Sequence, residues 1–140
     1  MSELHVVLGA GPLGRAVVEA LLERRRSVRW ISRSGKVAEP PQGVELLAAD
    51  LYDPAAVRRS TQNAVAVYQC AQPKYWQWPD KFPPLQAAII EGLAGTNARL
   101  VIGENCYMYG DTGGQPLTED LPYKAHTRKV IPFAGWDMPV

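Results

Sequence analysis

The chain has 140 residues, of which 46% are hydrophobic and 21% charged, and its formal net charge is +1. This size and composition predict one globular domain with a proper core, and a charge so near zero argues against a nucleic-acid-binding surface. No apolar run is long enough to cross a membrane, and no signal peptide precedes the first predicted strand. The two cysteines suit a reducing compartment, so we expect a cytoplasmic protein.

Predicted strands and helices alternate along the chain. Apolar runs predict strands over residues 4–8, 28–32, 44–48, 64–68 and 99–103. A helix is predicted directly after the first strand, with an apolar face made of Leu13, Ala16, Val17, Ala20 and Leu21. A second helix begins at Asp53-Pro54, with the aspartate as N-cap. A third lies within residues 80–95 and starts near Pro83-Pro84. Its predicted buried stripe is Leu85, Ala88, Ile89 and Leu93.

A glycine-rich turn joins the first strand to the first helix. Its sequence is Gly9-Ala10-Gly11-Pro12-Leu13-Gly14, which is the dinucleotide-binding fingerprint in its expected context. Gly9 permits the turn, Gly11 admits a pyrophosphate to the backbone, and Gly14 lets the helix lie close to the sheet. The helix N-terminus then offers N–H groups to the phosphates. We therefore expect an α/β Rossmann-like, doubly wound parallel sheet in the order 3-2-1-4-5, with helices on both faces.

The residues that follow the second strand bear on the choice of cofactor. An NAD site usually has a carboxylate there, whereas this chain has Ser32, Arg33 and Ser34. Arg33 can pair with a 2′-phosphate while the serines donate hydrogen bonds. The sequence therefore favours NADP(H), with NAD as the alternative if Arg33 is only an exposed loop residue.

With these residues in place, the chain resembles the extended short-chain dehydrogenase/reductase family, in its NAD-dependent epimerase/dehydratase group, and most of all the atypical members. The resemblance covers about the first 125 residues. Besides the glycine turn, the likeness is carried by residues 49–54, which are similar to G-D-L-x-D-P, by residues 67–72, and by residues 100–110. It implies that Asp50 and Leu51 meet the adenine, and that the segment containing Cys70, Ala71 and Gln72 lines the cofactor.

The same resemblance exposes departures from the family pattern. The typical glycine spacing is one residue longer, and Asn105 stands where the family has its catalytic Ser or Thr. The Tyr-x-x-x-Lys pair is absent, because Tyr123 is followed four residues later by Thr127, and Lys129 is six residues away. If the chain is an enzyme, its candidate catalytic residues are Asn105, Tyr109 and Tyr123.

The end of the chain departs as well. Relative to the family, a further strand and the C-terminal substrate domain are missing, which suggests truncation. We expect a dinucleotide-binding domain over residues 1–125 and an irregular apolar tail over residues 126–140. We also expect self-association through the uncovered sheet edge, or packing of the apolar tail over that edge.

Other side chains that could carry chemistry also have purely structural explanations. Cys70 and Cys106 follow neighbouring strands, and they are either a redox pair, a thiolate nucleophile or, more plainly, small buried hydrophobic residues. His5 is expected to be structural and His126 a solvated loop residue, and no metal site is predicted. The aromatic segment 75–78 forms a wall over the cofactor cleft, caps the sheet or meets a partner chain.

Three functions remain open on these grounds. The chain is an NADP-dependent reductase or epimerase-like enzyme, a non-catalytic module that holds or senses the dinucleotide, or a reduced gene product without activity. The absence of Tyr-x-x-x-Lys favours the last two over catalysis of the usual kind.

Overall fold

The computed structural model describes residues 3–126. The described chain divides into two compact units. The first contains residues 3–72 and 84–103, and the second contains residues 73–83 and 104–126. The expected tail over residues 126–140 lies outside the described residues, except for its first residue, and the predicted domain boundaries remain a prediction.

A five-stranded parallel sheet forms the first unit. Its strands are β1 Leu4–Leu8, β2 Ser27–Ser32, β3 Val44–Ala48, β4 Ala64–Gln69 and β5 Arg99–Ile102. Their order is β3-β2-β1-β4-β5, and each pairs in parallel with its neighbour. The predicted fold class and strand order are confirmed.

Over residues 3–126, three α-helices accompany the strands: α1 Pro12–Glu23, α2 Pro54–Ser60 and α3 Trp78–Leu93. Short 3-10 turns cover Tyr75–Gln77 and Tyr107–Tyr109. The side chain of Asp53 accepts a hydrogen bond from the Ala55 N–H, so the predicted N-cap of α2 is confirmed. Within the described residues, no helix is both long enough and apolar enough to span a bilayer.

Successive β1 side chains enter different apolar clusters. Val6 and Leu8 pack with Ile89 of α3, whereas Val7 packs with Val18 of α1. All five side chains are fully buried. Burying a side chain of this size stabilises a fold by about 1.5–3 kcal/mol, so these clusters hold the sheet between its helices.

The buried face of α1 matches the predicted one only in part, since Leu21 is buried as expected and Val17 packs against the same cluster. Gly14, Val18 and Leu21 are its buried residues, whereas Leu13 is 45% exposed and Ala16 is also exposed. Gly14 must approach the sheet, and this contact rotates the helix so that positions four and seven residues later face inward. The spacing of apolar residues in the sequence did not show that the close contact of Gly14 would determine which side of α1 faces the sheet.

Helix α3 begins five residues before Pro83, whereas the sequence placed its start near Pro83-Pro84. Proline inside a helix removes a hydrogen bond and costs about 3 kcal/mol. Near the start of α3, Trp78 and Phe82 are buried against each other and against Met108, in the core of the second unit. We attribute the early start to this aromatic burial, which offsets the unfavourable prolines.

Candidate functional site

Two of the three motif glycines are required by the packing of the turn itself. Gly9 has a φ of 109°, and a Cβ there would lie 2.6 Å from the backbone nitrogen of Ala71. A Cβ on Gly14 would collide with the carbonyl oxygen of Gly9. These residues therefore allow the turn to fit between α1 and β4, whether or not a ligand binds.

Gly11 is different, because nothing in the described structure needs it to be glycine. A Cβ on Gly11 would meet no atom within 4 Å, and its φ of −79° is open to any residue. Gly11 is the N-cap of α1, and no side chain caps the helix there. The turn thus leaves open space beside an uncapped helix N-terminus, which is the arrangement that a pyrophosphate needs.

The side chain of Trp30 of β2 is hydrogen-bonded to the glycine turn, a role that the sequence did not reveal. Its Nε1 donates a hydrogen bond of 2.8 Å to the Gly9 carbonyl, and its side chain is fully buried. The Arg15 guanidinium lies 5.5 Å from the Trp30 ring centroid and donates to the carbonyl of Ala38. A tryptophan in a strand pattern indicates core packing, and only the fold shows that its N–H reaches the loop.

The segment after β2 presents positive charge. Arg33 is exposed and forms no ion pair with any described residue. The hydroxyl of Ser32 donates to the Lys36 carbonyl at 3.2 Å, and the Ser34 hydroxyl accepts from the Lys36 N–H at 3.3 Å. The two serines therefore order the turn from which Arg33 extends.

The segment after β3 contains one exposed and one buried residue. Asp50 is exposed, and its Oδ1 accepts a 3.0 Å hydrogen bond from the Tyr52 N–H. Leu51 is only 8% exposed and packs in the core with Val57 and Ile89. At this position, Asp50 offers its side chain to a ligand, whereas Leu51 offers chiefly its backbone.

The segment after β4 continues the pairing with β1, since the Cys70 N–H donates to the Leu8 carbonyl at 2.9 Å. Cys70 is half-buried against the α1 cluster, and burial raises the pKa of its thiol to about 11. Such a thiol is protonated at neutral pH and is a poor nucleophile. This favours the hydrophobic role over the redox one. Ala71 is half-buried, and Gln72 is exposed.

These four segments belong to one edge of the sheet. They follow β1, β2, β3 and β4, which are parallel neighbours in the order β3-β2-β1-β4. The carboxyl ends of parallel strands meet at the same edge, where ligands bind in open α/β sheets. The first unit thereby brings together all the residues that the sequence assigned to cofactor binding.

The candidate catalytic residues all lie in the second unit. Asn105 Oδ1 accepts a 2.8 Å hydrogen bond from the Tyr107 N–H, which leaves its amide N–H₂ as a donor. The rings of Tyr109 and Tyr123 meet edge-on, with centroids 5.6 Å apart. Partial desolvation, with Tyr123 nearby, raises the pKa of Tyr109, which is the wrong direction for a general base. Thr127 and Lys129 lie outside the described residues.

The remaining candidates are also in the second unit. Cys106 and His126 are exposed and line a pocket of about 450 Å³ together with Tyr75 and Tyr107. Partial burial raises the pKa of Glu104, and the Asn105 N–H opposes that change. Both cysteines are free thiols.

The aromatic segment before α3 is divided between core and surface. Trp78 is 8% exposed, donates to the Pro73 carbonyl at 3.1 Å, and packs against Phe82. Trp76 is 68% exposed, with the Lys74 ammonium 5.3 Å from its ring centroid. Trp78 is therefore a core residue of the second unit.

Solved structures share the fold at low sequence identity. The UDP-glucose 4-epimerase of Thermus thermophilus, in complex with NAD, is 21% identical with a TM-score of 0.77, over 94% of this chain and 47% of that one. WbmG of Bordetella bronchiseptica, in complex with NAD and UDP, is 18% identical with a TM-score of 0.73, over 96% and 47%. WbmH of the same organism, in complex with NAD⁺, is 20% identical with a TM-score of 0.77, over 96% and 51%.

The present chain thus spans about half the length of these structures. No curated protein sequence matches it significantly. The sequence profile of the NAD dependent epimerase/dehydratase family matches residues 5–130, which is most of the chain. Together with the parallel sheet and the glycine turn of the first unit, this match shows that the chain belongs to the NAD dependent epimerase/dehydratase family.

Proposed function

We propose that this chain binds NADP(H) at the carboxyl edge of its sheet. The observation that carries the proposal is the open space beside Gly11 at the uncapped start of α1. Gly9 and Gly14 are explained by packing alone, but Gly11 is explained by a ligand that approaches the backbone. The N–H groups of Leu13 and Gly14 would hold the pyrophosphate, with Pro12 fixing the first helical φ.

The rest of the dinucleotide follows the strand ends. Asp50 would accept a hydrogen bond from the adenine amino group, next to Leu51. Arg33 would pair with the 2′-phosphate, and the turn formed by Ser32 and Ser34 would hold Arg33 in place. The segment of Cys70, Ala71 and Gln72 would lie along the cofactor after β4, the strand beside β1 in the sheet.

The choice of NADP(H) over NAD(H) rests on charge. Three solved structures with this fold carry NAD or NAD⁺. In this chain no carboxylate follows β2, and the exposed Arg33 has no ion-pair partner among the described residues. A carboxylate would repel a 2′-phosphate, whereas a guanidinium offers a two-pronged contact.

Calorimetric titration with NADPH and NADH tests this choice. The wild-type protein should bind NADPH more tightly, and Arg33→Ala should weaken NADPH binding by about 10- to 100-fold while sparing NADH. Arg59→Ala is the matched control, because Arg59 is a 72% exposed arginine on α2. Equal affinities of the wild-type protein for the two cofactors would refute NADP(H) specificity, and binding of neither would refute the proposal as a whole.

A second candidate is a module that holds or senses the dinucleotide without turning over a substrate. It is favoured by the absence of lysine four residues after Tyr123 and by the raised pKa of Tyr109. NADPH consumption should therefore stay at background with aldehydes, ketones and quinones. Turnover that is lost in Tyr123→Phe or Asn105→Ala would instead establish an enzyme.

The expected self-association also remains a proposal. Among the described residues β5 pairs only with β4, and Val101 of β5 is 42% exposed. An unpaired strand edge with an apolar side chain favours pairing with another copy. Sedimentation should detect an oligomer that Val101→Lys dissociates, and a monomeric wild-type protein would contradict the proposal.

A further inference from the structure

Tyr52 is an exposed aromatic residue that no step above has used. It stands directly after Asp50 and Leu51, and 43% of its surface is exposed. Its backbone N–H is bound by Asp50 Oδ1 at 3.0 Å, so the turn that carries the ring is ordered. An ordered turn therefore holds an aromatic ring that is partly covered and partly open to solvent.

The turn after β2 lies against the same region. Ser32 is in register with Ala48, and the Ala49 N–H donates to the Ser32 carbonyl at 3.1 Å. Gly35 has a φ of 68°, and a Cβ there would lie 3.1 Å from the Ala48 nitrogen. The segment that carries Arg33 is thus packed onto the end of β3, close to the turn that carries Tyr52.

Charges of opposite sign act on the Tyr52 hydroxyl. Burial and the Asp50 carboxylate raise its pKa, and the Arg33 guanidinium lowers it, with the increase prevailing. The hydroxyl is therefore protonated at neutral pH, and the ring is uncharged. A neutral ring near both the predicted adenine contact and the predicted 2′-phosphate contact is suited to a flat, uncharged base.

We propose that the ring of Tyr52 is the stacking wall for the adenine base of the dinucleotide. The inference rests on the proposed dinucleotide binding and adds the residue that recognises the face of the base. Asp50 would read the amino group at the edge of the base, while Tyr52 covers its face. Base–aromatic stacking of this kind strengthens binding by about 5- to 100-fold.

Titrations with NADPH, NADH and ADP test the wall, because all three contain adenine. Tyr52→Ala should weaken all three by a similar factor, about 5- to 100-fold. Tyr52→Phe keeps the ring and should stay within about twofold of the wild-type protein. Tyr52→Leu keeps apolar bulk without an aromatic face and should lie between them, which covers the case in which the alanine variant folds poorly. Leu47→Ala is a control, since Leu47 is an exposed apolar residue of β3.

The outcomes separate this inference from the proposed function. If the wild-type protein binds NADPH and Tyr52→Ala binds it equally well, the stacking wall is refuted and the proposed function stands. If Tyr52→Phe is as weak as Tyr52→Ala, the hydroxyl and not the ring is responsible, and the wall is refuted again. If the wild-type protein binds none of the three ligands, the proposed function fails and the inference falls with it.

Discussion

The two units of this chain prepare for function in opposite ways. In the first, the candidate site is made largely of backbone: a glycine turn, an uncapped helix start and the ends of four parallel strands. In the second, it consists of side chains on short turns, and Asn105, Tyr109 and Tyr123 are held by a few local contacts. The first unit thus has the geometry of a cradle, whereas in the sequence Thr127, and not lysine, stands four residues after Tyr123.

This difference shows that the features expected to bind a cofactor and those expected to catalyse a reaction lie in different parts of the fold. A pyrophosphate cradle depends on backbone geometry, which the packing of Gly9 and Gly14 maintains as long as the sheet folds, and on the open space at Gly11. Catalysis depends on the identity and pKa of a few side chains, which can change without affecting the core. Membership of an enzyme family therefore supports dinucleotide binding by this chain more strongly than it supports turnover.

The sharpest test within the first unit compares two of its glycines. Gly14→Ala should lower the free energy of unfolding by about 3 kcal/mol, because its Cβ would collide with the Gly9 carbonyl. Gly11→Ala should change it by less than about 1 kcal/mol, since its Cβ meets open space, yet weaken NADPH binding at least about tenfold. Urea unfolding and calorimetry measure the two effects. Undiminished NADPH binding by Gly11→Ala would remove the main support for the cradle.

One cysteine lies in each unit, so the rates at which their thiols are alkylated can be compared. At pH 8 only about one Cys70 thiol in a thousand is ionised if its pKa is about 11, so it should react with iodoacetamide roughly 100-fold more slowly than an ordinary cysteine. Cys106 is exposed and should be modified first. Mass spectrometry of timed samples locates the label, with Cys106→Ser as the control. Early labelling of Cys70 would mean that the end of β4 opens readily.

The first unit contains a buried side-chain amide without a hydrogen-bond partner, and replacing it tests what that lack costs. Gln86 of α3 is fully buried, and its side-chain nitrogen and oxygen have no partner among the described residues. Gln86→Leu should raise the free energy of unfolding by about 1–2 kcal/mol, because an unpaired buried amide is costly. Gln86→Glu, which adds a buried charge, should lower it. Destabilisation by the leucine variant would reveal a buried water molecule that serves the amide.

The smallest effect concerns pH. His5 Nδ1 lies 3.0 Å from the Tyr68 hydroxyl, and burial, aided by the charge of Arg26, lowers the pKa of His5 below its ordinary 6.5. At a pH between the lowered pKa of His5 in the folded protein and its ordinary pKa of 6.5, the unfolded chain binds more protons than the folded one. The free energy of unfolding should therefore fall as the pH drops below about 6.5. Urea unfolding across pH 5–7.5 should show this slope in the wild-type protein and a smaller one in His5→Phe. An equal slope in both would assign the effect to other groups.

The class of fold and the glycine turn follow from the sequence alone. Near-continuous apolar runs separated by helices leave a parallel sheet as the stable solution, and the glycine motif marks the turn that must bend after β1. The N-cap Asp53 and the stripe of Leu85, Ala88, Ile89 and Leu93 follow from local rules, and the structure confirms them. These features could be predicted because each depends on neighbours close in sequence or on a simple period.

The packing of whole elements determines which groups from distant segments meet. It turned α1 so that Gly14, Val18 and Leu21 face the sheet, and it started α3 at Trp78 because aromatic burial outweighs the prolines. It also brought Trp30 Nε1 to the Gly9 carbonyl. Contacts of this kind depend on the packing of whole elements, whose free energy is shared among many residues, so no local pattern in the sequence records them.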